Sequence, residues 1–114
     1  MSPTRSSTQV ETCVWTGASG TQYRYEIYPI GTSFNALPGN YIFAKINTSN
    51  RWAAIYAGET EDLSTRFDNH HQQACINRHG ATHIHVRVNR GGADARRAEE
   101  RDIRLAYDPP CNRQ

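Results

Sequence analysis

The most regular pattern of hydrophobic and polar positions covers residues 82–89, where the two kinds of side chain alternate. One side of an extended chain would carry Thr82, Ile84, Val86 and Val88, and the other side His83, His85, Arg87 and Asn89. Alternation with a period of two is typical of a strand that buries one face. The pattern therefore predicts a half-buried strand, which Gly91 and Gly92 end.

Four further strands are predicted from runs of apolar, aromatic and β-branched residues at 10–16, 23–30, 41–46 and 51–58. The first two are separated by a turn signal at 17–20 and form a predicted hairpin. Residues 47–50 form a polar loop between the other two. If that loop has four residues, Tyr41 lies directly opposite Tyr56, on the same face of the sheet.

Three helices are expected. Thr60 is a suitable N-cap for the first, on which Leu63, Arg66, Phe67 and His70 share a face. A short second helix covers 72–79. The third covers 93–107 and stops at Asp108 and two prolines; Arg96, Glu100, Ile103 and Tyr107 share one of its faces. A carboxylate in line with Ile103 lies near the core boundary, where an unpaired charge is costly.

The 114-residue length fits one domain, divided here into a flexible tail at 1–9, an N-terminal β-hairpin extension at 10–37 and a core at 38–114. No stretch is long and apolar enough for a membrane span, and no signal core is visible, so a cytoplasmic location is expected. Cys13, Cys75 and Cys111 are odd in number and widely spaced, which predicts free thiols and does not indicate a structural zinc site.

The net charge of +2 does not by itself indicate a nucleic-acid partner. Twelve of the thirteen basic residues are arginine, and the planar arginine fork pairs bidentately with phosphate oxygens. A GC-rich coding sequence would explain the same bias. Phosphodiester hydrolysis requires a group that orients or deprotonates water, a cation near the phosphate oxygens and a metal site. The polar groups on faces predicted to be buried include these types: Tyr41, Tyr56, Arg66, His70, Glu100 and Asn112.

At this point the chain resembles the GIY-YIG nuclease family. The first half-motif is present as Gly39-Asn40-Tyr41 and the second as Tyr56-Ala57-Gly58, with Asn40 and Ala57 at positions that vary in the family. Arg66 follows Tyr56 by ten positions, His70 follows Arg66 by four, and Asn112 follows Glu100 by twelve. The resemblance covers 38–112. It implies a small α/β domain of the α+β type, with a three-stranded antiparallel sheet flanked by helices and, here, an extra N-terminal β-hairpin.

The resemblance also implies roles for these residues. Tyr41, alone or with Tyr56, orients or deprotonates the attacking water. Arg66 holds the scissile phosphate, His70 takes or relays a proton, Glu100 binds Mg²⁺ or Mn²⁺, and Asn112 orients the phosphate or supports the site. Gly58, Arg87 and Arg90 are expected to contact substrate. The implied activity is a metal-dependent endonuclease that hydrolyses DNA, structure-selective or weakly sequence-specific, with a protein partner as one source of specificity.

Each of these residues also has a structural explanation when it is taken singly. The tyrosines are ordinary strand aromatics, Glu100 fits an exposed salt-bridged helix, and Glu99 is its rival for the metal. His83 and His85 share a strand face and would suit a metal, but they lack a third ligand. Two other functions stay open: a nucleic-acid-binding module that does not cleave, and a nuclease directed at RNA.

Overall fold

The computed structural model describes residues 10–67 and 70–113, in which five strands form one antiparallel sheet. The strands are β1 (Thr12–Thr16), β2 (Gln22–Pro29), β3 (Gly39–Ile46), β4 (Trp52–Thr60) and β5 (His83–Val88). Their order is β1-β2-β5-β3-β4, so β4 is an edge strand of the described sheet. The α+β class is confirmed. The three-stranded sheet with a separate hairpin is not, because β2 pairs with β5 and the hairpin continues the sheet.

Two helices accompany the sheet, α1 (Gln73–Arg78) and α2 (Ala93–Tyr107), and a 3-10 helix (Pro110–Asn112) follows them. The predicted bounds of α2 are confirmed at both ends. Its C-terminus is closed by Asp108, whose φ of 45° is left-handed, before two prolines that cannot continue the helix. The predicted short helix at 72–79 is confirmed as α1, and the predicted strands agree with β1 to β5 within about two residues.

The strand registers divide the core between two faces of the sheet. The first, called here the tyrosine face, carries Tyr41, Phe43, Tyr56, Ile84 and Val86. The second, called the α2 face, carries Trp15, Tyr25, Ile42, Ala57 and His85. Leu63 and residues of α1 cover the tyrosine face, and Ile103 of α2 packs against the other.

Both faces of the central strand β5 are therefore covered, so the prediction of a half-buried β5 is wrong. His85 is 0% exposed, and the Trp15 Nε1–H donates to its Nδ1 over 3.0 Å. His85 Nε2 has no hydrogen-bond partner within the described part of the chain, although its ring lies 4.5 Å from that of Trp52 in a T-shaped contact. His85 is thus a core residue and not a surface metal ligand.

The helix predicted from Thr60 is wrong over 61–67, where the chain forms a bend and turns. Side-chain hydrogen bonds compete with helix formation here. The Asp62 N–H donates to Thr60 Oγ1 over 3.1 Å, and the Ser64 N–H donates to Asp62 Oδ1 over 2.9 Å. The Leu63 N–H donates to the Leu37 carbonyl over 2.9 Å instead of bonding within a helix. These bonds still direct Arg66 and Phe67 toward the tyrosine face.

The β3–β4 register also differs from the prediction. Ile46 pairs with Trp52, which leaves a five-residue loop, and an irregularity between Phe43 and Ala44 shifts the ladder further. Tyr41 therefore pairs with Gly58 and is not directly opposite Tyr56. The two tyrosines do share a face, as predicted, with ring centroids 6.1 Å apart.

The prediction of three free thiols is wrong for two of them. Cys75 of α1 and Cys111 of the 3-10 helix form a disulfide, with Cα atoms 5.8 Å apart. Their separation of 36 positions gave no sign of this, because the pairing depends on where α1 and the 3-10 helix pack. Cys13 is free and partly buried.

Two other sequence predictions concern the ends of the chain and the membrane. The flexible tail at 1–9 lies outside the described residues. In the part of the chain that is described, none of the helices has the length and apolar character to cross a membrane.

Candidate active site

Tyr41 is the centre of a hydrogen-bonded group on the tyrosine face, and its side chain is 0% exposed. The Arg66 Nε–H donates to its hydroxyl oxygen over 3.0 Å, and His70 Nε2 lies 2.9 Å from the same oxygen. The Gln72 backbone N–H donates to His70 Nδ1 over 3.0 Å, so the neutral ring carries its proton on Nε2. The Tyr41 oxygen therefore accepts two hydrogen bonds.

Burial decides the protonation of this group. It raises the pKa of Tyr41 well above the ordinary value, with the nearby Tyr56 adding to the rise and Arg66 opposing it. Burial also lowers the pKa of His70 to about 4, helped by the positive charge of Arg66. At neutral pH Tyr41 is a phenol and His70 is uncharged. The arrangement suits His70 to holding Tyr41 in place, and its low pKa disfavours the role of proton acceptor that the family resemblance implied.

Gly58 has a packing role next to Tyr41. A Cβ atom built on Gly58 would lie 2.4 Å from both the Cζ atom and the hydroxyl oxygen of Tyr41. No side chain fits at that distance, so the glycine of the second half-motif is required by the position of the tyrosine of the first. Direct contact of Gly58 with substrate stays a prediction.

Tyr56 borders a pocket beside the edge strand β4, whereas the hydroxyl of Tyr41 is enclosed. The pocket has a volume of about 170 Å³ and is called here the β4-edge pocket. It is lined by Tyr56, His71, Gln72, Glu100, Arg104, Cys111 and Asn112. It thus brings together three of the predicted site residues with two basic groups that the sequence analysis did not select.

His71 connects the pocket to the Tyr41 group. Arg66 Nη2 donates to His71 Nδ1 over 3.3 Å, and His71 Nε2 lies 3.4 Å from the Tyr56 hydroxyl. Burial raises the pKa of Tyr56, and the carboxylate of Glu100 adds to the rise. A hydrogen bond with Tyr41 and the positive charge of Arg66 act in the opposite direction. The Tyr56 hydroxyl is therefore a neutral, polar group at the wall of the pocket.

Among the described residues that line the β4-edge pocket, Glu100 contributes the only carboxylate. Its side chain is 21% exposed, and Arg104 Nη1 lies 3.4 Å from one of its oxygens. Burial raises the pKa of Glu100, and Glu59 adds to the rise while Arg104 opposes it. A partly desolvated carboxylate with one long ion-pair contact has lone pairs left for a cation.

Glu99, the rival of Glu100 for the metal, is occupied by other partners. Its side chain is 4% exposed and accepts hydrogen bonds from Tyr25 Oη at 2.6 Å, from Asn89 Nδ2 at 3.0 Å and from Arg87 Nη1. These donors, called here the Glu99 network, lie toward the α2 face. Of the two neighbouring acids, Glu100 is therefore the one with fewer hydrogen-bond partners in the fold.

Asn112 closes the free edge of β4. Its Oδ1 accepts from the Ala57 N–H over 2.8 Å, and its Nδ2 donates to the Ala57 carbonyl over 3.0 Å. The side-chain amide thus replaces a neighbouring strand at this position. Asn112 supports the wall of the pocket, which is one of the two roles implied for it. Asn40, in the other half-motif, donates to the Arg96 carbonyl over 2.9 Å and ties β3 to α2.

The two arginines expected to contact substrate are placed differently. Arg87 belongs to the Glu99 network, and this ion pair competes with any contact to phosphate. Arg90 is exposed just after β5 and stays a candidate for substrate contact. A second surface has more arginines: Arg101, Arg104 and Arg113 line a groove along the end of α2 and the 3-10 helix. Arg113 pairs there with Asp108 at 3.2 Å, and Arg104 with Glu100 at 3.4 Å, whereas Arg101 forms no ion pair within the described residues. We call this surface the arginine groove, and it shares Arg104 and Asn112 with the β4-edge pocket.

Sequence reasoning missed His71 and Arg104 as pocket residues. His71 stands next to His70 in the chain, so the adjacent histidine was the available signal. Arg104 follows Glu100 by four positions and therefore lies on the same side of α2. Helix periodicity could have suggested Arg104, and adjacency to His70 could have suggested His71. Neither pattern tells whether a side chain borders a pocket or is simply exposed to solvent.

No protein-family model matches this chain, and comparisons with curated proteins and with solved structures found no significant match.

Proposed function

We propose that this protein is a metal-dependent endonuclease of the GIY-YIG type, which hydrolyses DNA phosphodiester bonds with structure-selective or weakly sequence-specific recognition. The observation that carries the proposal is the β4-edge pocket. Its described lining residues include a tyrosine, one carboxylate and an arginine, and Arg66 is hydrogen-bonded to His71, which also lines the pocket. These are the group types that hydrolysis of a phosphodiester requires.

The two arginines supply positive charge for the phosphate. Arg104 lines the pocket, and Arg66 lies behind His71 with its Nε held by Tyr41. A guanidinium that is fixed by hydrogen bonds needs little reorganisation when negative charge develops on the phosphoryl oxygens. Charge stabilisation of this kind is the main protein contribution in phosphoryl-transfer chemistry.

Tyr56 is the tyrosine that orients the attacking water, because its hydroxyl is at the pocket wall. Tyr41 is a positioning residue: its hydroxyl is enclosed and receives hydrogen bonds from Arg66 and His70. This division differs from the resemblance, in which Tyr41 takes the leading role. His70 holds Tyr41, and Asn112 holds the backbone of β4 beside Tyr56.

Glu100 would hold Mg²⁺ or Mn²⁺. When bound, the ion supplies Lewis-acid stabilisation of developing negative charge on an oxygen of the scissile group. The Arg104 side chain, which contacts the carboxylate at 3.4 Å, is flexible enough to turn from Glu100 to a phosphate oxygen. Glu59 stays paired with Arg96 at 2.9 Å, so its carboxylate is engaged elsewhere.

The arginine groove is the surface along which we place the DNA backbone. It continues from the pocket through the shared Arg104, and arginine pairs well with phosphate oxygens. Contacts to phosphate carry no base information, which agrees with weak sequence specificity. Binding through such contacts should weaken steeply as salt is added.

The test incubates the purified protein with Mg²⁺ or Mn²⁺ and labelled nicked, branched, single- and double-stranded DNA and RNA. Glu100→Gln is compared with Glu11→Gln, which changes an exposed acid that lies outside the pocket. We expect metal-dependent cleavage by the wild type and by Glu11→Gln, and a loss of about 10²–10⁴-fold in Glu100→Gln.

Three outcomes change the conclusion. Cleavage of RNA alone would make the protein an RNA-directed nuclease. Salt-sensitive binding without cleavage of any substrate would favour a nucleic-acid-binding module. Equal cleavage by Glu100→Gln and the wild type would remove Glu100 from the site.

A further inference from the structure

Cys75, Cys111 and His79 bring three soft ligand atoms together at the junction of α1 and the 3-10 helix. The two sulfur atoms and a ring nitrogen of His79 lie within 4.8 Å of one another. Both cysteines are buried, and the histidine is partly exposed. Thiolate and imidazole are the ligands that Zn²⁺ prefers, and the hard cation proposed at Glu100 does not use them.

The backbone places these ligands in a suitable arrangement. Cys75 and His79 are four positions apart, on α1 and at its C-terminal cap, so their side chains project from the same side. Cys111 approaches from the 3-10 helix, with its Cα 5.8 Å from that of Cys75. In a tetrahedral site with Zn–S bonds of ~2.3 Å, two thiolates stand ~3.8 Å apart. Once the S–S bond is broken, both cysteine side chains are able to rotate toward that separation.

We propose that Cys75, Cys111 and His79 form a zinc site in the reduced protein, and that the Cys75–Cys111 disulfide is the oxidised, metal-free form of the same site. Three protein ligands hold the ion, and water takes the fourth position. This inference does not rest on the proposed nuclease function.

Conversion of the disulfide form to the zinc-binding form requires a reductant. A dithiol of the thioredoxin class gives two electrons and two protons to the Cys75–Cys111 bond, which breaks into two thiols while the reductant becomes a disulfide. Binding of Zn²⁺ then releases the two thiol protons to solvent, because the metal is bound by thiolates. In the reverse direction a protein disulfide of the thioredoxin class takes two electrons from the zinc-bound thiolate pair and two protons from solvent to become a dithiol, the Cys75–Cys111 bond forms, and Zn²⁺ leaves.

The site borders the β4-edge pocket, since Cys111 lines the pocket and precedes Asn112 in the chain. Either the disulfide or the bound zinc connects α1 to the 3-10 helix. The Asn112 contact with Ala57 is therefore held in both states, and only the reduced, metal-free protein lacks the connection.

The test measures metal binding directly. Protein reduced with a phosphine and freed of metal is titrated with Zn²⁺, and bound metal is counted by mass spectrometry after desalting. In parallel, Co²⁺ is added, because thiolate ligation produces a near-ultraviolet charge-transfer band and tetrahedral geometry produces intense visible bands. We expect about one metal ion per reduced chain and none in the oxidised chain.

Matched variants assign the ligands. Cys111→Ser and His79→Ala should each weaken binding at least about tenfold, since each removes one of three protein ligands. Cys13→Ser and His83→Ala are the controls, because both residues lie outside this cluster, and they should bind as the wild type does.

The wild-type titration decides the result even if a variant fails to fold. Failure of the reduced chain to bind Zn²⁺, or binding without the cobalt charge-transfer band, would overturn the proposal. Equal loss of binding in Cys13→Ser would assign the metal to a different site and would also overturn it.

Discussion

Glu99 and Glu100 are neighbours in α2, but their carboxylates face regions of opposite character. Glu99 is 4% exposed and has three hydrogen-bond donors, whereas Glu100 is 21% exposed and has Arg104 at 3.4 Å. Burial raises the pKa of both carboxyl groups, so burial does not distinguish them. The two acids differ in their partners. The charge of Glu99 is compensated by the residues of the Glu99 network, whereas the charge of Glu100 borders the β4-edge pocket and is available to a ligand.

Tyr25 and Tyr56 differ in the same way as Glu99 and Glu100. Tyr25 donates to Glu99 over 2.6 Å and is 1% exposed, so its hydroxyl is committed to the fold. Tyr56 is 8% exposed and borders an open pocket. A polar group with all its bonds made inside the protein stabilises the fold, and one with unused capacity toward a cavity is a candidate for chemistry.

The largest effect is expected from a substitution that disrupts the Glu99 network. Glu99→Ala leaves the buried Tyr25 hydroxyl without its acceptor and the 35% exposed Arg87 without its ion-pair partner, and we expect the free energy of unfolding to fall by about 2–3 kcal/mol. Glu100→Ala should change the same quantity by less than about 1 kcal/mol, because its charge is poorly compensated in the fold. Urea unfolding of both variants measures this. Equal losses would mean that the two acids are structurally equivalent.

A second prediction removes the hydroxyl at the pocket wall. Tyr56→Phe should lower the cleavage rate about 10²-fold with little loss of stability, because the role we propose for Tyr56 is to orient the attacking water. Tyr28→Phe is the control on the same sheet face; its hydroxyl donates to Glu26 over 2.7 Å at an exposed position, and cleavage should be unchanged. Single-turnover cleavage separates the two, and a normal rate in Tyr56→Phe would refute the assigned role.

A third prediction concerns the dependence of stability on pH that arises from His70. The pKa of His70 is about 4 in the folded protein and 6.5 ordinarily, so the unfolded chain binds the proton first. The free energy of unfolding should therefore fall as the pH drops from 6.5 to 4, by up to about 3 kcal/mol from this group. The difference between wild type and His70→Gln isolates this contribution. A difference that does not vary with pH would contradict it.

The smallest expected effect concerns the arginine groove. Arg101→Gln should weaken DNA binding about 3- to 10-fold and reduce the salt dependence by about one phosphate contact. Arg24→Gln changes an exposed arginine of β2 that donates to Thr12 over 3.0 Å, and it serves as the control. Fluorescence anisotropy at several salt concentrations measures both. Equal effects of the two variants would indicate diffuse attraction and no groove.

Much of the secondary structure could be predicted from the sequence. The bounds of α2 followed from periodicity and from the Asp108-Pro-Pro stop, and these signals are local. The strands followed from apolar and β-branched runs for the same reason. The turns at 61–67 were missed because Asp62 and Thr60 bond to the backbone, and helix propensity does not include that competition.

The set of candidate residues was predicted from the sequence. Which of them are enclosed and which border the pocket was not. Tyr41, Arg66 and His70 do meet, at 3.0 and 2.9 Å. Which tyrosine reaches the pocket depends on the register, and the register depends on a bulge and a five-residue loop. Whether Glu99 or Glu100 is free depends on Tyr25, Arg87 and Asn89, which lie on other strands or after them.

By itself, the sequence determined the α+β class, the position of each strand, the bounds of α2 and the residue types available for chemistry, because these depend on local periodicity and backbone preference. Only the tertiary structure decided the five-stranded order, the enclosure of Tyr41 and His85, and the meeting of Cys75 with Cys111. These depend on contacts between residues far apart in the chain. Such contacts form when α2 and α1 cover opposite faces of one sheet.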